Sequence, residues 1–298
     1  MDLVLTLIAA PGGAPLDDSA VASAVAALGD AGARPGTPDW LAPGEALDLP
    51  FAAEGAEGVE ESLRAALGGR AVDLAVQPAA GRRKRLLLAD MDSTMVTGET
   101  LDELADFAGL KPQIAAITAR AMAGELDFEE ALKTRVGLLE GLPLEALDET
   151  LERISLSPGA RSLVATMKAA GAYCALISGG FTQFTGHVRE ACGFDEARAN
   201  RLLAADGRLT GEVAEPILGQ DAKLSALRAL CAARKLEEAA ACCVGDGAND
   251  IAMLGAAGLG VAYHAKPAVR AAAPFRIDHG DLTALLYLQG FKKADFAA

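Results

Sequence analysis

Two aspartates separated by one residue follow an apolar stretch in the sequence LLLADMD, residues 86–92. Carboxylates this close repel each other, so Asp90 and Asp92 need a cation between them, or one of them must hold a proton. A second acidic pair, Asp246 and Asp250, follows another apolar stretch in the sequence VGDGAND. The chemistry that these residues can perform depends on whether the two pairs lie together.

The two acidic pairs are expected to meet at one edge of a parallel sheet, because such sheets bind ligands outside the carboxyl ends of their strands. Turns and helix caps also use aspartate, and either pair alone is better explained in that way. Both pairs together, each directly after an apolar strand, predict a site for a hard divalent cation with oxygen ligands, namely Mg²⁺. The carboxylates predicted to face this ion are Asp90, Asp92, Asp246 and Asp250.

An anion site is predicted beside these carboxylates. Ser178 and Gly179 precede a predicted helix, whose amino-terminal end attracts phosphate, although the sequence SGG alone is also an ordinary turn. Lys223 lies in the first turn of a helix predicted over Ala222–Arg234, where its charge opposes the helix dipole. That position indicates a function, with a surface lysine as the alternative. GDGAND is not a P-loop, and no GxGxxG motif indicates a dinucleotide cofactor.

These residue types together predict phosphoryl transfer. Asp90 would attack phosphorus and become an aspartyl-phosphate. Asp92 would protonate the leaving oxygen and then deprotonate the water that hydrolyses the intermediate. Mg²⁺ and Lys223 would neutralise the phosphate, so that catalysis consists mostly of positioning and charge stabilisation.

The elements that must position these residues alternate between strand and helix from Leu86 onward, which predicts an α/β fold. Their apolar composition is typical of a doubly wound parallel sheet that is covered on both faces. The charge-rich helical residues from about 97 to 156 are too many for a plain crossover and predict an inserted helical cap. The core strands are predicted over residues 86–89, 172–177, 240–244 and 259–262.

Residues 1–80 are predicted to form a separate small α+β domain in front of the main domain, residues 81–298. Residues 31–58 are rich in Gly, Pro and Glu and are predicted as a loop that could hold one ragged strand. The basic run at residues 82–85 is interpreted as a solvated junction between the domains. Strands are predicted over residues 3–9 and 71–76, and helices over residues 19–28 and 59–67.

The composition narrows the class of partner. The formal net charge is −14, which argues against nucleic acid and against an anionic membrane surface, since both require basic patches. The five cysteines include no CxxC pair, so neither a disulfide framework nor a zinc site is indicated. A reduced, cytoplasmic protein is the simplest expectation. Cys242 and Cys243 should point to opposite faces of a strand.

Four motifs resemble those of the haloacid dehalogenase (HAD) superfamily, namely DMDST, SGG, the single Lys223 and GDGAND. Longer stretches are similar to the phosphoserine phosphatase family: DSTMVTGETLDELADFAG, GELDFEEALKTRVGLLEGL, LISGGF and VGDGANDIAMLGAAGLGVAYHAKP. The resemblance covers about residues 86–290 and implies a HAD-like Rossmannoid core. Met91 departs from relatives that often carry Phe, a difference that concerns packing and leaves the chemistry in place.

The resemblance implies a role for each matching core residue. Asp90 is the nucleophile and Asp92 the acid/base. Asp90, Asp246 and the backbone carbonyl of Asp92 bind Mg²⁺, while Asp250 holds a water of the ion and orients Lys223. The residues implied to contact the phosphate are Ser178, Gly179, Lys223 and Asn249.

Two cap residues complete the implied site. Glu99 would meet the substrate ammonium and Arg135 its carboxylate, which suits a zwitterionic amino acid, since arginine matches a carboxylate with two hydrogen bonds. The alternative for both is a solvated helix face. Phe128 and Met122 could form an apolar wall of the site or the core of the cap, and they are interpreted as core.

The implied activity is Mg²⁺-dependent hydrolysis of O-phospho-L-serine, the last step of serine biosynthesis, with that small molecule as the partner. One alternative is a phosphotransferase that moves the phosphate to an alcohol such as homoserine. Another is an amino-acid-binding regulator without catalysis, which would not need Asp90 or Lys223. Residues 1–80 weakly resemble ACT-like modules, so an amino-acid sensor and a folding or homodimerisation domain both stay open.

Overall fold

A computed structural model describes residues 2–54, 58–122, 125–219 and 221–297, apart from the side chain of Met122. The amino-terminal part is an antiparallel sheet with two helices. Its elements are β1 (Asp2–Ala9), α1 (Asp18–Asp30), β2 (Arg34–Pro35), β3 (Asp39–Ala42), β4 (Ala46–Ala52), α2 (Val59–Ala66) and β5 (Val72–Pro78). Strand β1 lies between β4 and β5, and β2 and β3 both pair with the other edge of β4.

The prediction of a loop over residues 31–58 is wrong, because β2, β3 and β4 all lie there. Asp48 and Pro50 interrupt the apolar alternation of β4 and conceal it in the sequence. The structure accommodates both residues: the hydroxyl of Thr6 donates to buried Asp48, and the carbonyl of Pro50 accepts the amide of Gly36. The ACT-like label for this part stays a prediction.

The rest of the chain alternates strands and helices around a second sheet. In chain order its elements are β6 (Leu86–Ala89), α3 (Thr100–Asp106), α4 (Lys111–Met122), α5 (Phe128–Gly137), α6 (Glu145–Arg153), α7 (Ala160–Ala169), β7 (Tyr173–Phe181), α8 (Thr182–Cys192), β8 (Glu196–Asn200), β9 (Leu202–Ala205), β10 (Arg208–Val213), α9 (Ala222–Arg234), β11 (Ala241–Gly245), α10 (Ile251–Ala256), β12 (Leu259–Tyr263), α11 (Pro267–Ala272), β13 (Phe275–Ile277) and α12 (Ala284–Leu288). Short 3₁₀ or irregular turns connect several of them.

The central sheet is parallel, with its strands in the order β13-β12-β11-β6-β7-β8. Successive residues of the inner strands enter different clusters of the hydrophobic core, so Cys242 packs on one face and Cys243 on the other. The predicted doubly wound sheet and its four inner strands are therefore confirmed. The outer strands β8 and β13 escaped prediction because they are half exposed and partly polar.

Helices α3 to α6 form a cap between β6 and α7. An antiparallel bridge between Val96 and Leu156 joins the two ends of this insertion, and the hairpin of β9 and β10 packs against α5. The helical cap predicted from the sequence is present, although its limits and those of the two predicted domains stay predictions.

The basic run at residues 82–85 predicted a solvated junction between the two sheets, but part of this junction is buried. Arg82 is mostly buried and forms an ion pair of 2.5 Å with Asp48 of β4. It also donates to the carbonyls of Tyr287 and Leu288 in α12. Arg82 thus connects the amino-terminal sheet to α12, a short helix near the end of the chain. Within the described residues, no helix is long and apolar enough to cross a membrane.

Candidate active site

The site lies at the carboxyl edge of the central sheet, where β11, β6 and β7 are neighbours. Asp90 follows β6 directly and Asp246 follows β11 directly. The amide of Asp90 donates a hydrogen bond of 3.0 Å to the carbonyl of Val244 in β11. This bond fixes the backbone of Asp90 relative to β11 and so positions its side chain. Both aspartates are buried, and their carboxylate oxygens lie within 4.8 Å of each other. The structure therefore brings the two acidic motifs together at this edge.

Lys223 is the buried cation of this edge, 3% exposed. Its Nζ atom lies 2.8 Å from Oδ1 of Asp90 and 2.6 Å from Oδ1 of Asp250. Burial alone lowers the pKa of Lys223, but the two carboxylates outweigh it and raise that pKa above its ordinary value. The lysine therefore stays charged. Its unfavourable place at the start of α9 is explained by these two partners.

Three carboxylates form a group that could hold a metal ion: oxygens of Asp90, Asp246 and Asp250 lie within 4.8 Å of one another. Burial is the main cause that raises the pKa of Asp246, and repulsion from Asp90 is the second. The same two causes raise the pKa of Asp250 to about 7. Lys266 offsets part of this charge, with Nζ 3.1 Å from Oδ2 of Asp246. Hard oxygen ligands with excess negative charge fit Mg²⁺.

Asp92 is absent from this group, because its side chain points toward the cap. Its Oδ1 accepts the amide of Thr100, the first residue of α3, at 2.7 Å. Burial raises the pKa of Asp92 to about 6, the Thr100 amide opposes that shift, and repulsion from Asp90 adds to it. Such a carboxyl can both release and take up a proton near neutral pH.

The SGG sequence has a different backbone from the predicted one. Strand β7 continues through it to Phe181, with a break in register after Ile177, and the helix begins only at Thr182. The amide of Gly180 donates to Oγ of Ser178 at 2.8 Å. A Cβ atom at Gly180 would lie 2.9 Å from Oδ2 of Asp92, so this position has no room for a side chain.

Asn200, at the end of β8, holds the SGG segment from outside. Its Nδ2 donates to the carbonyl of Gly179 at 2.9 Å, and its Oδ1 accepts the amide of Leu218 at 2.7 Å. In a trans peptide the carbonyl and the following amide point in opposite directions. By fixing the Gly179 carbonyl, Asn200 keeps the Gly180 amide directed at Ser178.

The GDGAND motif forms a turn around the fully buried Asp250. The amide of Gly247 donates to Oδ2 of Asp250 at 3.0 Å. A Cβ atom at Gly245 would lie 2.3 Å from Cγ of Asp250, which explains the glycine. Asn249, one residue earlier, lines the cavity described next.

A cavity of about 180 Å³ separates the sheet edge from the cap. Its lining combines most of the residues predicted from the sequence, whereas Lys223, Asp246 and Asp250 are not part of its wall. Phe128, interpreted as cap core, packs on that core and also lines the cavity. The predicted residues in the wall are Asp90, Asp92, Glu99, Arg135, Ser178, Gly179 and Asn249.

The two cap residues are buried charges, not members of a solvated helix face. Oε1 of Glu99 accepts the hydroxyl of Ser93 at 2.7 Å. Burial, and next the charge of Asp92, raise the pKa of Glu99 to about 8. Arg135 is 8% exposed, and burial lowers its pKa while Glu99 opposes that shift.

Sequence reasoning missed four polar residues around the site. Lys266 follows β12 and could have been found by the same search for polar residues after core strands. Asn200 ends a strand that was not predicted, and Thr118 and Asp102 in the cap carry no motif. Their contacts are visible only in three dimensions.

Comparisons with known proteins identify the family of the chain. The family of haloacid dehalogenase-like hydrolases matches residues 87–255. This match covers more than half of the chain, and the chain belongs to that family.

Several similar proteins within the family are named phosphoserine phosphatases. The "Phosphoserine phosphatase" of Streptomyces coelicolor is 40% identical over 292 residues, 96% of this chain and 71% of the relative. A solved "phospho-aspartyl intermediate analogue of phosphoserine phosphatase" is 40% identical, covers 69% of this chain and 98% of its own, and has a TM-score of 0.66. A "probable phosphoserine phosphatase" from Vibrio cholerae is 30% identical, with a TM-score of 0.77, and covers 99% of this chain and 88% of its own.

Proposed function

We propose that this protein hydrolyses O-phospho-L-serine to L-serine and inorganic phosphate. One observation carries the proposal: a single cavity has Asp90, Asp92 and Ser178 on the sheet side and Glu99 and Arg135 on the cap side. The first group suits a phosphate ester, and the second suits an ammonium and a carboxylate. The names of the relatives support the same substrate.

In the first step, a carboxylate oxygen of Asp90 bonds to phosphorus while the bond from phosphorus to the serine oxygen breaks. The leaving oxygen takes the proton of Asp92, whose pKa of about 6 leaves a usable protonated fraction near neutral pH. Lys223 holds Asp90 from the other side, at 2.8 Å. Serine and an aspartyl-phosphate on Asp90 result.

In the second step, water attacks the phosphorus of the aspartyl-phosphate, and the bond to the Asp90 oxygen breaks. Asp92, now a carboxylate, takes the proton of that water and regains its starting state. The hydrogen bond from the Thr100 amide keeps Asp92 in place through both steps. Phosphate leaves, and Asp90 is free again.

The phosphate oxygens would be held by Ser178, Gly179, Lys223 and Asn249. The carboxylate group fits Mg²⁺ as the cofactor, which Asp90, Asp246 and the backbone carbonyl of Asp92 would hold, with Asp250 beside them. When bound, Mg²⁺ would offset the negative charge of the phosphate and of these carboxylates. The two lysines that contact these carboxylates, Lys223 and Lys266, balance this negative charge only in part.

The biological setting that we propose is the last step of serine biosynthesis in the cytoplasm, with the small-molecule substrate as the partner. All five cysteines are free and buried, which supports a reducing compartment. The net charge of −14 supports neither nucleic acid nor an anionic membrane as a partner.

The test is phosphate release from L-phosphoserine with Mg²⁺, compared with phosphothreonine and p-nitrophenyl phosphate and repeated with homoserine as an added acceptor. Preferential hydrolysis of phosphoserine that EDTA abolishes is the expected result. Equal hydrolysis of every ester would contradict the roles of Glu99 and Arg135. Formation of phosphohomoserine at the expense of free phosphate would instead show a phosphotransferase.

A further inference from the structure

Arg135 is held in the cap by two hydrogen bonds that leave part of its guanidinium for a ligand. Its Nε donates to the carbonyl of Ala131 at 3.2 Å, and its Nη1 donates to Oγ1 of Thr118 at 3.0 Å. Within the described residues, the hydrogen bonds of the Arg135 side chain use Nε and Nη1. The third guanidinium nitrogen, Nη2, has no hydrogen-bond partner there. Because Arg135 lines the cavity, that remaining nitrogen is available to a substrate carboxylate.

The hydroxyl of Thr118 has a fixed direction because it has a second partner. It donates to Oδ1 of Asp102 at 3.0 Å. A hydroxyl carries one proton, so once that proton points at Asp102, a lone pair is turned toward Arg135. All three side chains are nearly buried, with exposures of 9% for Asp102, 4% for Thr118 and 8% for Arg135.

The threonine also separates the two charges. Among the described residues, Asp102 forms no ion pair with Arg135. The guanidinium therefore does not already bind this carboxylate of the protein and can bind one of the substrate. Asp102, Thr118 and Arg135 lie on α3, α4 and α5, respectively. The hydrogen-bonded chain of Asp102, Thr118 and Arg135, here called the relay, therefore connects three cap helices and ends on the cavity wall.

We propose that Thr118 and Asp102 are positioning residues that aim Arg135 and so make the enzyme selective for phosphate esters with an α-carboxylate. The inference rests on the proposed function, in which Arg135 binds the substrate carboxylate. An arginine side chain has several rotatable bonds, and a charge-assisted hydrogen bond from Nη2 to a carboxylate demands one orientation of the guanidinium. Restricting Arg135 before the substrate arrives removes an entropic cost of binding.

The test compares Thr118→Val, which removes the hydroxyl at nearly constant size, with Thr118→Ser, which keeps it. The substrates are phosphoserine and phosphoethanolamine, which share the ammonium and the type of leaving oxygen but differ in the carboxylate. Thr118→Val should raise KM for phosphoserine about tenfold, the effect of one lost hydrogen bond to a charged group. KM for phosphoethanolamine should change less than about twofold, and Thr118→Ser should restore phosphoserine binding.

Thr150→Val is the matched control for a purely structural effect. Thr150 is a buried threonine of the cap helix α6, and its hydroxyl donates to the carbonyl of Ala146 at 2.6 Å. This variant should change stability without changing the ratio of the two KM values. If Thr118→Val does not fold, Asp102→Ala, which removes the acceptor of the Thr118 hydroxyl, tests the same relay and should also raise KM for phosphoserine selectively.

Two different outcomes separate the inference from the proposed function. A wild-type enzyme that prefers phosphoserine, with a preference that survives Thr118→Val, overturns the relay and leaves the proposed function standing. A wild-type enzyme without any preference between the two esters overturns the role of Arg135 and the proposed function with it. Equal losses on both esters in Thr118→Val would show that Thr118 only supports the cap.

Discussion

The backbone amide of Thr100 donates a hydrogen bond of 2.7 Å to Oδ1 of Asp92. Thr100 begins the first cap helix, so the cap is joined to the carboxyl group to which we assign the proton transfers. Oδ2 of the same side chain faces Gly180 in the predicted phosphate site. One oxygen of Asp92 thus holds the first cap helix, and the other lies beside Gly180 in the cavity wall, where it is available for the proton transfers that we propose.

Asp92→Asn should separate the two halves of the reaction. The asparagine oxygen can still accept the Thr100 amide, so the fold should survive, but no proton can be delivered. Turnover of phosphoserine should fall by about 10²–10⁴-fold. p-Nitrophenyl phosphate has a leaving group that departs without a proton, so it should give one equivalent of nitrophenol and then stop. Rapid-mixing absorbance measures this burst.

Asp90→Asn is the control for that burst. It has nearly the same size but lacks the attacking carboxylate, so neither ester should produce a burst. A burst of equal size in Asp90→Asn would mean that another residue accepts the phosphoryl group. Steady turnover of phosphoserine in Asp92→Asn at the wild-type rate would remove Asp92 from its role.

Binding of phosphoserine should weaken as pH falls below about 8, the value to which the pKa of Glu99 is raised. A raised carboxyl pKa means that Glu99 holds a proton below that pH, and a neutral Glu99 cannot attract the substrate ammonium. KM for phosphoserine should therefore rise several-fold between about pH 8 and pH 6.5, up to tenfold per pH unit.

Phosphoglycolate has a carboxylate but no ammonium, and it corrects for titration of the phosphate group itself. Its KM should show a smaller dependence over the same pH range. Glu99→Gln should give phosphoserine the pH dependence of phosphoglycolate. Parallel curves for the two esters in the wild-type enzyme would contradict an ammonium contact at Glu99.

Much of the site could be predicted because its main residues follow core strands. Asp90 and Asp246 directly follow β6 and β11, and the parallel arrangement of strands was readable from their apolar composition. The start of α9, with Lys223 in its first turn, was also predicted. At these positions the residue type suits a phosphate or metal site, and the neighbouring apolar strand indicates where that site lies. Both signals are local in the sequence, so these residues could be predicted.

The missed features depend on contacts between distant parts of the chain. Thr118 meets Asp102 and Arg135 only because three helices pack together. Arg82 looked like part of an exposed basic run, yet its partner Asp48 lies in a strand that proline and aspartate conceal. Neither relationship has a local signal in the sequence, so both required the three-dimensional structure.

Mg²⁺ should stabilise the protein in the absence of substrate, because it would relieve repulsion among Asp90, Asp246 and Asp250. At about one hundred times its dissociation constant, a ligand adds ~2.7 kcal/mol to the free energy of unfolding. For a chain of this size the melting temperature should rise by roughly 5 °C. Differential scanning calorimetry with EDTA and with Mg²⁺ measures this shift.

Asp246→Asn should remove most of the Mg²⁺-dependent shift, since it removes one charged ligand. Asp221→Asn changes an exposed aspartate just before α9 and should leave the shift intact. A shift that is the same in the wild type and in Asp246→Asn would place the metal ion elsewhere.

Asp73 should be a main contributor to the attachment of the amino-terminal sheet. This carboxylate of β5 is 2% exposed and accepts backbone amides of three consecutive residues, Asp278, His279 and Gly280, at 2.6–3.2 Å. Asp73→Asn would turn an amide group toward these donors. The free energy of unfolding in urea should fall by about 2–4 kcal/mol.

Asp39→Asn is the matched control, because Asp39 also connects the amino-terminal sheet to the end of the chain. Its partner Lys292 lies 2.9 Å away, and both side chains are more than half exposed, so this loss should stay below about 1 kcal/mol. Neither variant should change kcat for phosphoserine, since both residues lie outside the cavity wall. Equal losses in the free energy of unfolding would show that the buried Asp73 carboxylate contributes no more to stability than the exposed Asp39. A drop in kcat confined to Asp73→Asn would instead show that the amino-terminal sheet supports the site.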